Sequence, residues 1–317
     1  MLTGIAAGVA AGALWGLVFV APSMARGFPP TDLTAGRFIV YGAMALGMLL
    51  WNLRGTPRWP TLRQAGAALG LSILGFTGYY FLLVLAIRDA GTEMPALIIG
   101  TIPLWVVLLG KPHGLRWAAL VPGLLLTVAG LVLMADVPHG GEVVAATASA
   151  GSAASPVLAA SAASAAATYW RGIGLALVAL VFWTAFALLN SAWLKRHPGV
   201  RAGDWANWLG IATGLGGLLL WLALGSPLPE LAPRPGFGGF VLVCLAIGIG
   251  SSWLATMLWS IASQRLSASL CGQLIVSETL FALVYSFALE GHWPAPLQWA
   301  ACALFTLGIL ASINAHR

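Results

Sequence analysis

One carboxylate stands where carboxylates are rarely found. Glu278 lies in Gln273-Leu274-Ile275-Val276-Ser277-Glu278-Thr279-Leu280, near the middle of an apolar stretch from about 267 to 289. A charge at the centre of a bilayer is costly, so such a group faces a cavity or a partner. Away from bulk water a carboxyl can exchange protons in the working range. Two chemistries follow: Glu278 binds a coupling proton, or it pairs with the amine of a solute. The competing reading is a structural ion pair, with Arg37 as its partner. Cys271 and Tyr285 lie seven residues either side on the same helical face, and Gln273 and Ser277 form a neighbouring polar stripe. Arg37, one turn into a second apolar stretch, can bind a carboxylate, act in gating, or simply snorkel to the interface.

Aromatic residues surround these charges in the sequence pattern. Trp15, Trp105, Trp183, Trp253 and Trp259 fall well inside apolar stretches, and Tyr79 and Tyr80 join them. An indole N–H or a phenol at that depth needs a partner that hydrocarbon does not offer. As a group they suit the walls of a cavity for an apolar or cationic organic solute. Trp51, Trp59, Trp117, Trp170, Trp193, Trp221, Trp293 and Trp299 lie at stretch ends, the depth of an aromatic belt. Pro103 falls near the middle of its stretch, where it frees a carbonyl and kinks a helix beside a cavity. Pro22 is expected to end the first helix. Glu93 suits a helix N-terminus, and Arg88 and Asp89 are expected to be solvated at the surface. Gly4, Gly8, Gly12 and Gly16 repeat every four residues, a face for close helix packing that also suits an element that slides or rocks.

These residues need elements to position them, and composition dictates which. The chain has 317 residues, 60% hydrophobic and only 8% charged, with mean hydropathy +0.92. A soluble domain carries about a quarter of its residues charged. A soluble enzyme, a disordered chain and a nucleic-acid-binding domain are excluded, and the net charge of +6 fits basic loops facing the cytoplasm. Cys244, Cys271 and Cys302 are far apart within apolar stretches, which is no disulfide framework. The five histidines lie in loops or at the terminus, so no metal or haem site is expected. No P-loop and no Ser/His/Asp set appears, and no cofactor is expected. Met1-Leu2-Thr3 has no basic start of a cleavable signal, so the first stretch is expected to stay as a membrane helix.

A hydrocarbon core of ~30 Å needs ~20 residues of apolar helix. Ten stretches qualify, near 3–22, 32–52, 64–87, 91–110, 115–134, 170–193, 204–224, 237–262, 267–289 and 295–314. The expected fold is an all-α polytopic membrane protein. Residues 1–134 form a first five-helix repeat and 170–317 a second; 135–169 is an Ala/Ser-rich extracytoplasmic linker. Residues Gly75 to Leu109 lie on Gly250 to Val284 without a gap. Five being odd, the second repeat is inverted, the usual architecture of secondary transporters. With the N-terminus cytoplasmic, Arg54, Arg58, Arg63, Lys111, Arg116, Lys195, Arg196, Arg201, Arg265 and Arg317 fall inside. Only Arg26, Arg37, Arg88, Arg171 and Arg234 fall outside or near the outer surface, so both termini are expected in the cytoplasm.

Several short motifs in order resemble the drug/metabolite transporter superfamily, in its EamA-type ten-helix branch. They are Leu14-Trp15-Gly16 with Phe19, Arg37, Pro103-Leu104, Gly123 with Gly130-Leu131-Val132-Leu133, Phe182-Trp183, Leu289-Glu290-Gly291 and Gly308-Ile309-Leu310. Gly110-Lys111 replaces the usual Gly-Glu, and Glu278 stands about where a proline is common. The resemblance implies a bacterial inner-membrane transporter, often an exporter of amino acids or other small metabolites. It also implies a cavity lined by helices 1, 3, 4, 6, 8 and 9. The expected function is secondary transport of a small organic solute by alternating access, outward and in two variants, with or without a coupled proton. The partners are that solute and the lipid bilayer, with no nucleic acid. A lipophilic-cation exporter, a uniporter with a purely structural Glu278, and a non-transport membrane enzyme or assembly factor are the alternatives.

Overall fold

In the computed structural model, the residues described are 1–51, 59–90, 93–110, 116–135, 156–290 and 296–316. They form ten helical units and, among the described residues, no strand. α1 is Leu2–Met24 and α2 is Pro30–Trp51. α3 is Leu62–Ala90. α4 is broken into Glu93–Gly100 and Ile102–Leu109. α5 is Trp117–Ala135, α6 is Pro156–Arg196 and α7 is Ala202–Leu224. α8 is Phe237–Arg265, α9 is Ala268–Glu290 and α10 is Pro296–Ala315. Seven of these are long and apolar enough to cross a membrane, and shorter apolar helices lie within α4, α5 and α10. The chain is an all-α polytopic membrane protein.

Two boundaries and one side chain differ from expectation. α6 begins at Pro156 rather than near 170, so part of the segment read as linker is helix; its Ala-rich composition favours that state. Residues 136–155 of the linker lie outside the described residues. α1 continues through Pro22 to Met24. Proline lacks a donor but a helix absorbs it where one carbonyl is left over near an end. Asp89 is not solvated: its side chain is 3% exposed, held by Arg171 Nε at 2.8 Å and Arg88 Nε at 3.2 Å. That bridge ties α3 to α6, and Gly172 beside it packs so closely on Ala90 that a Cβ would lie 2.8 Å from the Ala90 nitrogen. Lys111, Arg54, Arg58, Arg317, His113, His139, His292 and Trp293 lie outside the described residues, as does the Glu93 side chain.

The helix pairings follow a simple rule. The most extensive are α2 with α7, α1 with α9, α5 with α10, and α3 with α6; α1 also packs on α8, and α4 on α6. The set is unchanged when each helix is exchanged for the one five places away. At two points the exchange holds atom for atom. A Cβ on Gly42 would lie 2.6 Å from the Gly214 Cα, and one on Gly214 would lie 2.5 Å from the Gly42 Cα. Likewise a Cβ on Gly123 would meet Ser312 and the Gly308 carbonyl, and one on Gly308 would meet Thr127 and the Gly123 carbonyl. Reciprocal contacts of this kind are what a two-fold axis produces. Glycine is required here because the two backbones touch, and lipid supplies no other force to hold them.

Two wide π-helical segments interrupt otherwise α-helical spans: Ile73–Thr77 in α3 and Ile247–Leu254 in α8. They overlap in the ungapped alignment of Gly75 with Gly250. Such bulges are favoured where glycines relax the backbone and recur at functional sites. Both segments carry such glycines, Gly75 and Gly248 with Gly250, and Gly75 lets the Phe186 ring lie against the α3 backbone.

Contacts define two faces. One joins Gly4 to Leu266 and Arg265, Gln264 to the Val200 carbonyl, and the Ser269 N–H to the Gly110 carbonyl. It carries Arg63, Arg116, Lys195, Arg196, Arg201 and Arg265 and is called the basic face below. Here Arg201, the residue before α7, bonds Asp204 in its first turn (Nε to Oδ2 3.1 Å), which raises the guanidinium above its ordinary value. The opposite face joins Asp89 to Arg171, Asp32 to the Ser226 N–H, and Arg234 to the Gly27 carbonyl. Trp51, Trp59, Trp117 and Trp299 are exposed at or near helix ends, as a belt requires; Trp170 is exposed too but lies inside α6, which begins at Pro156. Trp193 departs from the belt: it stacks on Trp205 at 3.8 Å and on His197 at 4.2 Å.

Candidate functional site

The charged residues at depth gather around one region. Arg37 of α2, Tyr79 and Tyr80 of α3, and Glu278 of α9 all keep part of their surface accessible although each lies inside a span. They feel one another's fields: Arg37 is influenced by Tyr80, Tyr79 and Glu278, and Tyr79 by Glu278. Two of the four, Arg37 and Tyr80, border one cavity. It has a volume of about 30 Å³ and is lined also by Val18, Pro22, Pro30, Leu33, Thr34 and Ile247. It lies in the half of the molecule toward the opposite face.

Arg37 and Glu278 share a field, and no ion pair at contact distance joins them in this structure. The guanidinium carbon of Arg37 lies 4.7 Å from the centroid of the Phe38 ring. Its Nε is buried without a hydrogen-bond partner among the described residues. A buried guanidinium N–H left unpaired is expensive, and a ligand carboxylate is the natural acceptor for it.

Helix positions explain how these side chains come together. The π segment of α3 ends at Thr77, and Tyr79 and Tyr80 follow it directly, so the extra residue sets their direction. On α1, a Cβ on Gly12 would strike Ser277 and come within 3.1 Å of the Glu278 nitrogen; one on Gly16 would come within 2.9 Å of the Ala282 nitrogen. Gly8 faces Leu274 and Gly4 faces Leu266. The glycine stripe therefore lays α1 along α9 and holds Glu278 in place. The ungapped alignment of the two halves sets Glu278 opposite Pro103. In α4 that position follows a break: Thr101 leaves the helix, its Oγ1 donates to the Ile98 carbonyl at 2.6 Å, and Pro103 starts the next segment. In α9 the helix is continuous, and a carboxylate projects instead of a kink.

The expected aromatic wall splits into parts. Trp15 meets Trp183 edge-on at 6.4 Å and Trp259 at 5.3 Å, forming one cluster. Trp253 lies apart and donates to Asn207 Oδ1 at 2.8 Å. Trp105 is 46% exposed and donates to Thr101 of its own helix, and no other ring contacts it. Gln273 and Ser277 do not join Glu278 either. Gln273 is 1% exposed and donates to Thr127 of α5 at 2.8 Å. Ser277 donates to the Leu274 carbonyl at 2.7 Å and abuts Gly12. One residue per hundred degrees of turn separates these side chains from Glu278, and the neighbours on each side claim them. Cys271 faces Lys195 and Ser263 near the basic face. Sequence reading missed the amides Asn190 and Asn207, which accept from Trp205 and Trp253. An amide inside an apolar stretch is itself a detectable signal. Among the described residues no His/Cys/Asp/Glu group could hold a metal ion.

A multi-pass helical protein whose helix pairings repeat five places on, with an arginine and a carboxylate inside its spans, has the form of a membrane transporter, and comparison with known proteins places it. Residues 2–136 match the EamA-like transporter family. The chain is 32% identical to the inner membrane protein YtfF of Escherichia coli (strain K12), over 99% of this chain and 96% of that one. A solved crystal structure, 23% identical, shares the fold with a TM-score of 0.74, covering 100% of this chain and 98% of the other. The chain belongs to the EamA-like transporter family, within the drug/metabolite transporter superfamily.

Proposed function

We propose that this protein is a secondary transporter of a bacterial inner membrane that moves an amino acid or a related small metabolite outward by alternating access. The reading is carried by one observation. Inside the spans, an arginine and a carboxylate that no ion pair joins lie within each other's field together with two tyrosines. A zwitterionic solute offers a carboxylate to Arg37 and an amine to Glu278. Glu278 is also the site for a coupling proton, taken up when the amine leaves. The two halves, 1–134 and 170–317, act as inverted repeats about the Gly42–Gly214 and Gly123–Gly308 contacts; the match of residues 2–136 to a family model supports that division. The basic face is cytoplasmic, with both termini on it, in line with the bias of Lys and Arg. Pro103 and the Gly4 to Gly16 stripe serve as the hinge and the sliding surface.

The test is solute flux in proteoliposomes for a panel of amino acids and organic cations, with and without an imposed pH gradient. Saturable amino-acid flux supports the reading. Movement of organic cations alone supports the lipophilic-cation alternative, for which one acid among aromatic rings would suffice. Arg37→Gln is expected to raise the half-saturation concentration for a carboxylate-bearing solute by about 10-fold or more. It should leave an organic cation's value unchanged. Equal effects on both would remove Arg37 from carboxylate recognition.

A further inference from the structure

Buried polar groups in folded proteins are nearly always paired. Several of the exceptions here border the Trp15–Trp183–Trp259 cluster or lie between it and the basic face. Toward the opposite face, Arg37, Tyr79, Tyr80 and Glu278 keep accessible surface. Toward the basic face, polar side chains are fully buried, and many have no partner among the described residues. Asn190 Nδ2 and Ser191 Oγ on α6 and Trp259 Nε1 on α8 are such groups; Thr256 and Ser263 are buried on α8 as well, with the Tyr41 phenol and the Cys271 thiol as their neighbours. Thr256 and Ser263, with Ser252 and Ser260, follow a helical stripe along α8. Ser263 borders Cys271 of α9, and Cys271 in turn lies within the field of Lys195, which is exposed at the basic face. Ser260 recovers a bond, donating to the Thr256 carbonyl at 2.7 Å; from the remaining hydroxyls an apolar helix gains little if they stay dry, because they lose their water on folding.

We infer that this stripe is the wall of a second half-channel, open to the basic face in the alternate state and closed here by the tryptophan cluster. The inference rests on the alternating-access reading above and adds to it the path and the plug. The polar groups are then satisfied by water in one state and stranded in the other. Trp15 and Trp183 are the moving parts of the closure: they occupy matching places on α1 and α6, so each half contributes one ring. The arrangement also explains why Trp259, 1% exposed, leaves its indole N–H unpaired.

The experiment uses the full chain with Cys244, Cys271 and Cys302 replaced by Ala, and single cysteines introduced as Ser191→Cys or Ser263→Cys. A charged, membrane-impermeant maleimide is applied to vesicles of either orientation. Both cysteines should react slowly from both sides. Adding Trp15→Ala should raise their reactivity at least 10-fold from the basic face alone. Rapid labelling without Trp15→Ala would mean a permanently hydrated pocket and would overturn the inference. So would continued protection in a Trp15→Ala protein that melts as a folded species, or equal labelling from both faces. Thr256→Val supplies a second readout. It should leave the melting temperature unchanged or higher while lowering flux at least 10-fold; unchanged flux would make the stripe structural. The labelling needs no substrate, so its failure is separable from a failure to find transport.

Discussion

Replacing Glu278 by Gln is expected to abolish the response of flux to an imposed pH gradient and to lower flux of an amine-bearing solute by about 30-fold or more. The substitution keeps the shape and the hydrogen-bonding capacity of the side chain and removes its charge and its proton. Loss of one member of a desolvated charge pair costs about 2–5 kcal/mol, and 2 kcal/mol corresponds to ~30-fold. The direction with pH follows from the group. The carboxyl is neutral when protonated at low pH and anionic at high pH. The anion holds the amine, and proton uptake releases it. In the native protein, acidifying the side to which solute is released should therefore speed release. In Glu278→Gln the rate should be flat against that gradient, and Glu278→Asp should restore a response at reduced rate. The measurement is initial flux in proteoliposomes across a series of gradients. A gradient response that survives in Glu278→Gln would leave Glu278 without a role in coupling. Because no ion pair at contact distance ties Glu278 to Arg37, the substitution strands no buried partner, and the protein should melt near the native temperature.

The second large effect concerns the fold itself. Gly42→Val should lower the melting temperature in detergent by about 5 °C or more, while Gly47→Val, one helical turn and a half away, should change it little. A Cβ at Gly42 would lie 2.6 Å from the Gly214 Cα and 3.3 Å from the Gly210 carbonyl, all backbone that cannot rotate aside. At Gly47 nothing lies within 4 Å. Overpacking of this kind costs about 1–3 kcal/mol and can cost more, and each kcal/mol shifts the midpoint of a larger domain by roughly 2–4 °C. Gly214→Val should match Gly42→Val. Equal melting temperatures for the Gly42 and Gly47 variants would show that α2 and α7 are free to separate.

Ten helices could be located from the apolar runs to within a few residues, because a bilayer imposes a length on every span and rejects unpaired backbone. The start of α6 escaped this reasoning: Ala and Ser favour helix without being apolar enough to mark a span. The π segments escaped it too, since one additional residue leaves the hydrophobic pattern intact. In the site, Glu278 and Arg37 were legible because a charge inside a span is rare whatever its neighbours. Gln273, Ser277 and Trp105 were not, because whether a neutral polar or aromatic side chain faces a cavity depends on which helix packs against it. Thr127 claims Gln273, Gly12 abuts Ser277, and Thr101 satisfies Trp105. The first two are long-range contacts that no local spacing encodes; the third is a local i,i+4 bond that lets Trp105 satisfy its N–H without a cavity.

The reciprocal glycine contacts bear on how such a chain can change over generations. Where a residue of one half touches its own counterpart in the other, neither copy can be altered alone. A larger side chain at 214 has to be answered at 42, and one at 308 has to be answered at 123. Away from the axis no such tie exists, and a proline in α4 can face a glutamate at the matching place in α9. The α2–α7 and α5–α10 seams are therefore held alike on both sides, while places away from them, such as 103 and 278, are left free to differ.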